Sequence, residues 1–550
     1  MGVSAGGSEA AQLFVYDAAT GAQIAGPVDR TDFGGLSWSD DGKTLFFLRL
    51  QKTDNPRFKY FNITDQVWNL KDAPRDVLGA PVKESPIKVP PVMAAGVVLT
   101  PGSDVAAAFV QNGVQNEVEI WTGPAARAGD PTAPWRPLTT REDGVTSGAA
   151  RGDDLYLLSH KDAPTFKVLH VKAGQSLSAA DTVLPAEPGR LVESIHAAAD
   201  GLYVQARQGV YSQLLFIPTG GAPKEIALPA KGSVNALFTD PRRPGAVVQF
   251  ESWAIPVTFY AYNPGDGRFT DLHLGAKPSY DDKNYVATDL KAPAQDGVEV
   301  PLTYLAKKGA RPGIVLVRAY GSYGISYFPA FNARAIPFLD EGAAWVTCNV
   351  RGGGELGETW RLGGKDANKP NTWRDLIACG KALIAQGYAI PAKLFITGGS
   401  AGGITMGRAL EEAPTLFAGV IDQVPAANSL RSEFTPGGPA NIPEFGTIAN
   451  ETGFRNLYAM DSVVHVEKGV QYPAVMITTG LNDPRVSPWE PAKFAAALMA
   501  SGTKKPVLLR VEEQAGHGIG STKSQSDGLF ADIYSFVFWR AGRPGWAPAD

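Results

Sequence analysis

The sequence predicts two domains of different class, an all-β propeller domain over residues 1–280 and a doubly wound α/β domain with a mostly parallel sheet over residues 281–550. Three observations lead there. In the first half, short β-type runs alternate with turn signals in units recurring every ~45 residues, the length of a four-stranded blade. In the second half, apolar strand-like runs alternate with helix-compatible segments, the pattern of a parallel sheet covered on both faces. At 550 residues the chain also exceeds what one hydrophobic core ordinarily supports.

The blade pattern starts with Leu13-Phe-Val-Tyr-Asp-Ala-Ala-Thr-Gly21, a strand running into a turn. Leu36-Ser-Trp-Ser-Asp-Asp-Gly-Lys-Thr-Leu-Phe-Phe47 then gives strand, Asp-Gly turn and strand. Similar units lie at 98–120, 154–171, 201–217 and 246–263; a pair of β-sandwiches is the alternative architecture. Residues 272–284 carry Pro278 and the charged run Asp281-Asp-Lys283 and read as the linker. Beyond it, strands are expected at 313–317, 343–350, 394–397, 418–421, 474–478 and 507–511, with helices at 373–386, 404–412, 491–500 and 528–540.

Gly398-Gly-Ser-Ala-Gly402 fits G-x-S-x-G, the nucleophile elbow of an α/β-hydrolase catalytic domain, and marks Ser400 as nucleophile. With 61 glycines in the chain the motif alone is weak, but a strand precedes it and a helix follows. In that fold the acid and then the histidine follow the serine. Of six histidines only His465 and His517 follow Ser400. His465 sits in an ordinary helix or loop pattern and reads as structural. His517, in Ala515-Gly-His-Gly-Ile-Gly520 just past a strand, has the exposed loop that a base requires. Two acids between them follow strands. Asp422 reads as a strand-end residue supporting the sheet. Asp483, on an exit loop stiffened by Pro484, reads as the carboxylate that orients His517.

Asn349-Val-Arg-Gly-Gly-Gly-Glu-Leu-Gly-Glu-Thr-Trp360, Gly398-Gly-Ser-Ala-Gly-Gly403, Asn482-Asp-Pro-Arg-Val486 and Ala515-Gly-His-Gly518 occur in an order that together resembles the prolyl oligopeptidase family of serine peptidases. The resemblance implies an oxyanion site from the Tyr320 hydroxyl and the Ala401 amide, and an Arg485 that holds a substrate carbonyl. Its pocket positions fall on Asn441, Phe445, Tyr323, Ala426, Val486 and Ser487. Prolyl-specific members stack proline on a tryptophan where this chain has Asn441, and they carry tyrosine where it has Phe445. Strict post-proline cleavage is therefore not expected. The first half holds room for about five or six blades, fewer than the family propeller, so the propeller is expected to be incomplete at its N-terminal side.

The remaining composition excludes other classes. A net charge of −4 without a long Lys/Arg run argues against nucleic acid as a partner. No stretch nears about 18 uninterrupted apolar residues, so no membrane helix is expected, and no signal peptide or myristoylation pattern is visible. The Gly-rich loop at 351–358 lacks the Lys-Ser/Thr ending of a nucleotide site and reads as structural. Two cysteines, Cys348 and Cys379, are too few for a disulfide framework or a common zinc site. They are expected to be buried free thiols, and no metal or cofactor is expected. The expected partner is a short or compact peptide, cleaved by a soluble enzyme, cytoplasmic or periplasmic. Opening of lasso peptides by isopeptide hydrolysis is one alternative and a carboxylesterase another.

Overall fold

The computed structural model describes residues 1–550 apart from Phe33, Ala276, Lys277, Arg311, Pro312, Ile519, Ala549 and Asp550. Part of the expected linker and Ile519 of the histidine motif thus lie outside the described residues.

The first half forms six antiparallel sheets in chain order, one of three strands spanning 2–28 and five of four strands spanning 37–79, 93–137, 145–184, 190–226 and 233–271. Period-two burial explains their stacking. In Val105–Asn112 the small residues Ala106 and Ala108, with Val110, point into the core and their neighbours do not. Successive sheets share apolar layers. Leu158 and Val168 of one sheet meet Val192, Val204 and Leu215 of the next, whose other face places Tyr203 and Leu214 on Val234 and Phe250. Sheets packed face to face in sequence are the arrangement of propeller blades.

The second half is built on one sheet of eight strands: β1 (Tyr285–Pro293), β2 (Glu299–Lys307), β3 (Val315–Arg318), β4 (Ala344–Cys348), β5 (Leu394–Gly399), β6 (Gly419–Gln423), β7 (Ala474–Gly480) and β8 (Val507–Glu512). Their order is β1-β2-β4-β3-β5-β6-β7-β8, antiparallel at the β1 end and parallel from β4 through β8. Both faces of the central strands are buried. Val315, Val317 and Ile396 face the helices Pro370–Ala385, Gly402–Glu412 and Trp489–Ala500, through Trp373, Met406 and Phe494. Leu316, Phe395 and Met476 face the other way, onto Phe338, Ile533 and Val537. Double-sided burial is why these strands read as continuous apolar runs. The last helix, Lys523–Arg540, starts at a Thr522–Gln525 capping box that satisfies two otherwise free amides. β1 and β2 precede every strand expected from the sequence of this domain.

One expectation is overturned. Cys348 and Cys379 are not free thiols but a disulfide, with Cα atoms 6.4 Å apart. The end of β4 runs alongside the Pro370–Ala385 helix, which brings two residues 31 apart in sequence within bridging distance.

Candidate active site

Tyr320, Ser400, Asp483 and His517 stand on loops that leave the C-terminal ends of β3, β5, β7 and β8, one rim of the parallel sheet. That rim is where open α/β sheets place their ligands. Ser400 has φ 56°, a left-handed conformation that a non-glycine residue adopts only when its surroundings hold it there. Its N–H donates to the Gln423 carbonyl at 2.9 Å, and its own carbonyl accepts from the Gly403 and Ala426 amides. Gly402 has to be small, because a Cβ there would stand 2.9 Å from the Tyr320 ring. Ala401 lies at the N-terminus of the Gly402–Glu412 helix, where backbone N–H groups present partial positive charge.

His517 donates from Nδ1 to Asp483 Oδ2 at 2.7 Å, and both side chains are almost wholly buried. Asp483 Oδ1 accepts the amides of Arg485 and Val486 at 2.9 and 3.0 Å, which fixes the carboxylate plane. With Nδ1 protonated, Nε2 is left as the basic nitrogen, and among the described residues it has no hydrogen-bond partner. The alternatives do not resemble this pair. His465 bonds the Asp461 carbonyl through Nδ1 and packs on Tyr458. Asp422 lies within β6, fully buried, with no partner for either oxygen among the described residues, and burial pushes its carboxyl well above the ordinary range.

The Tyr320 side chain interacts with that of Ser400, and burial raises its phenol far above the ordinary tyrosine value. Tyr320 therefore stays a protonated donor beside the serine. Its backbone carbonyl accepts the Thr405 hydroxyl at 2.8 Å, so the loop is anchored to the helix that follows Ser400.

Ser400, Ala401, Tyr320, Tyr323, Ala426, Asn441, Phe445, Arg485 and Val486 line a single cavity of about 680 Å³ between the two domains. His517, Asp483 and Ser487 are not among its lining residues. The propeller closes the far side with Glu9, Asp32, Leu48, Tyr60 and Val114. Arg485 Nε donates to Glu9 Oε2 at 2.8 Å and Asn482 to the Gly6 carbonyl at 3.0 Å, so propeller residues reach the acid-bearing loop. Asn441 is anchored at both ends of its amide, accepting the Tyr323 hydroxyl at 2.8 Å and donating to the Gly437 carbonyl at 2.7 Å.

Sequence reasoning missed Glu490. It lines the same cavity, is buried, and leaves Oε2 without a partner among the described residues; burial raises its carboxyl to about 8. Nothing in Pro488-Trp-Glu-Pro491 sets this acid apart from a surface one. A second seam between the domains holds Glu117, His160 and Glu358 close together, but Arg361 is already ion-paired with Glu358 at 2.5 Å and lies 3.6 Å from Glu117. That arrangement is an ion-pair network with its cation in place.

Family models place residues 1–273 in the prolyl oligopeptidase N-terminal β-propeller domain and residues 329–543 in the prolyl oligopeptidase family proper. This chain belongs to the prolyl oligopeptidase family. It is 29% identical to Protease 2 of Moraxella lacunata over 75% of this chain and 61% of that protein. To dipeptidyl aminopeptidase BI of Pseudoxanthomonas mexicana it is 34% identical, over 53% of this chain and 42% of the relative. A solved prolyl endopeptidase structure superimposes with a TM-score of 0.89 at 23% identity, covering 98% of this chain and 79% of that one. The chain thus spans about three-fifths of the length of the first of these relatives.

Proposed function

We propose that the chain is a serine peptidase, cleaving short or compact peptides through Ser400, Asp483 and His517. The observation that carries this is the Asp483–His517 hydrogen bond through Nδ1, which leaves Nε2 without a partner among the described residues on the rim that carries Ser400 and Tyr320. Nε2 takes the Ser400 proton as Oγ attacks the substrate carbonyl. Tyr320 and the Ala401 amide stabilise the oxyanion, and the imidazolium is held by Asp483 until it protonates the leaving amine. Water, deprotonated by the same nitrogen, then releases the acyl group and restores Ser400. A cavity of about 680 Å³ roofed by the propeller favours substrates small or compact enough to enter between the domains.

The lining supports relaxed specificity in the primary pocket. Without an indole, proline loses a stacking contact of about 1 kcal/mol. Asn441 is held in place by Tyr323 and Gly437, so it presents a fixed polar group, and not an aromatic face, to a substrate side chain.

Mass spectrometry of the products from a mixed peptide library, with Ser400→Ala as the blank, tests the reading. Internal amide cleavage lost in a folded Ser400→Ala supports it, and unchanged turnover in that variant refutes it. Adding lasso-shaped and ester substrates to the same assay distinguishes isopeptide opening and esterase activity from linear peptide hydrolysis.

A further inference from the structure

The loop from Tyr320 to Tyr323 is gripped from behind by charged groups that the mechanism above does not use. Lys369 is 1% exposed, yet its ammonium donates to the Gly321 carbonyl at 2.5 Å and to the Ser322 hydroxyl at 2.6 Å. Glu444, also buried, accepts the Tyr323 amide at 2.8 Å. The Phe445 ring, a wall of the substrate cavity, lies 5.7 Å from the Lys369 nitrogen. The loop needs such a grip. Tyr323 has φ 61° and Gly321 φ 82°, and a Cβ at Gly321 would run into the Thr372 methyl group. Gly321 takes its conformation freely, but left-handed backbone at a non-glycine residue such as Tyr323 relaxes unless its surroundings over-determine it.

We propose that Lys369 is a positioning residue which, with Glu444 opposite it, clamps the 320–323 loop so that the Tyr320 hydroxyl is preset for the oxyanion formed at Ser400. This rests on the peptidase reading given above. A buried ammonium has no reason to be kept inside a protein unless its donors are used, and two of the three are spent on the two residues that follow Tyr320. A donor that must meet an oxyanion loses most of its effect when displaced by about 1 Å, so a small slackening of the loop is read in kcat.

The clamp also carries a pH dependence. Burial lowers the Lys369 ammonium to about 8, opposed by the carboxylates of Glu444 and Asp366 facing it. Around Glu444 stand the cations Arg361 and Lys365. As pH rises through about 8 the lysine loses its charge, and the two N–H groups left to the loop become neutral, weaker donors.

The test compares wild type, Lys369→Met, Tyr320→Phe and the double variant on a chromogenic peptide, each checked for folding by circular dichroism. Lys369→Met is expected to lower kcat about tenfold to a hundredfold with KM within about twofold. The double variant is expected to be no slower than Tyr320→Phe alone, because the clamp acts only through that hydroxyl. Wild-type kcat falls as pH rises through about 8, while Lys369→Arg, which keeps its charge, holds its value there. Should Lys369→Met not fold, the two pH profiles decide. Losses that multiply in the double variant, a KM effect in place of the kcat effect, or a wild-type profile flat through that range overturns the proposal. A wild type without Ser400-dependent turnover would sink the peptidase reading instead, and the position of the 320–323 loop in a crystal of Lys369→Met would then decide the clamp.

Discussion

Breaking the Cys348–Cys379 bridge is expected to weaken the C-terminal domain by an amount set by the loop it closes. The bonded cysteines are 31 residues apart. In the chain-entropy treatment a loop of that length removes about 12 cal/mol/K from the unfolded ensemble, or ~3.7 kcal/mol at 25 °C. For a domain of this size, ~2–4 °C per kcal/mol converts the loss into a fall of roughly 7–15 °C in Tm. The bridge ties β4 to the helix whose preceding residue is Lys369, so loss of order there is also felt at the Tyr320 loop. Differential scanning calorimetry of the oxidised protein, the reduced protein and Cys348→Ala/Cys379→Ala measures it. Thiol titration of the unreduced, denatured chain should find no free cysteine, and both after reduction. Two titratable thiols in protein made under oxidising conditions, or a melting transition indifferent to reductant, would refute the reasoning.

Tyr320→Phe removes one preset oxyanion donor and is expected to lower kcat by about 10²–10³-fold with little change in KM, measured by steady-state peptide hydrolysis. Glu490 makes stability pH-dependent in a definite direction. Its folded-state value of about 8 exceeds the ordinary 4.5, so the folded form keeps a proton that the unfolded form has released, and stability falls as pH rises between those values. Glu490→Gln should reduce the slope of that part of a urea-denaturation series without abolishing it, because burial also raises other carboxyls, Glu355 to about 7 and Asp422 well above its ordinary range.

The features legible in the sequence are those whose chemistry forces a local pattern. The elbow at Ser400 was readable because a left-handed serine needs small neighbours, and Gly402 lies 2.9 Å, measured from its notional Cβ, from the Tyr320 ring. His517 was readable because histidines are scarce after Ser400. What escaped depends on distance contacts. Nothing local marks Glu9, in the loop between the first two strands, as a partner of Arg485, nor Cys348 as a neighbour of Cys379. β1 mixes exposed and buried residues along Tyr285–Pro293, including Asp289 and Lys291, because it is the sheet's edge strand and lacks the apolar run of a central one. Asn441 was legible as a polar residue at the pocket and illegible as a satisfied one, since its partners Tyr323 and Gly437 come from the fold and the turn around it.

Asp422 and Asp483 show how narrow the margin is between a structural acid and an orienting one. Both come after apolar runs in the sequence, and composition does not separate them. Asp422 is still inside β6, on the face covered by the Gly402–Glu412 helix, where a Cβ on Gly403 would come within 3.0 Å of its Oδ1. Burial, and after it the charge of nearby Glu411, raises the carboxyl there well above its ordinary range, and a neutral acid cannot stabilise an imidazolium. Asp483 stands three residues beyond the end of β7, where the turn supplies two backbone amides to one oxygen and leaves the other for His517. Those amides fix the carboxyl plane at a site nearly as buried as the first. The difference lies in whether the strand has ended before the acid arrives, because only then are backbone N–H groups free of the ladder and available to hold a negative charge.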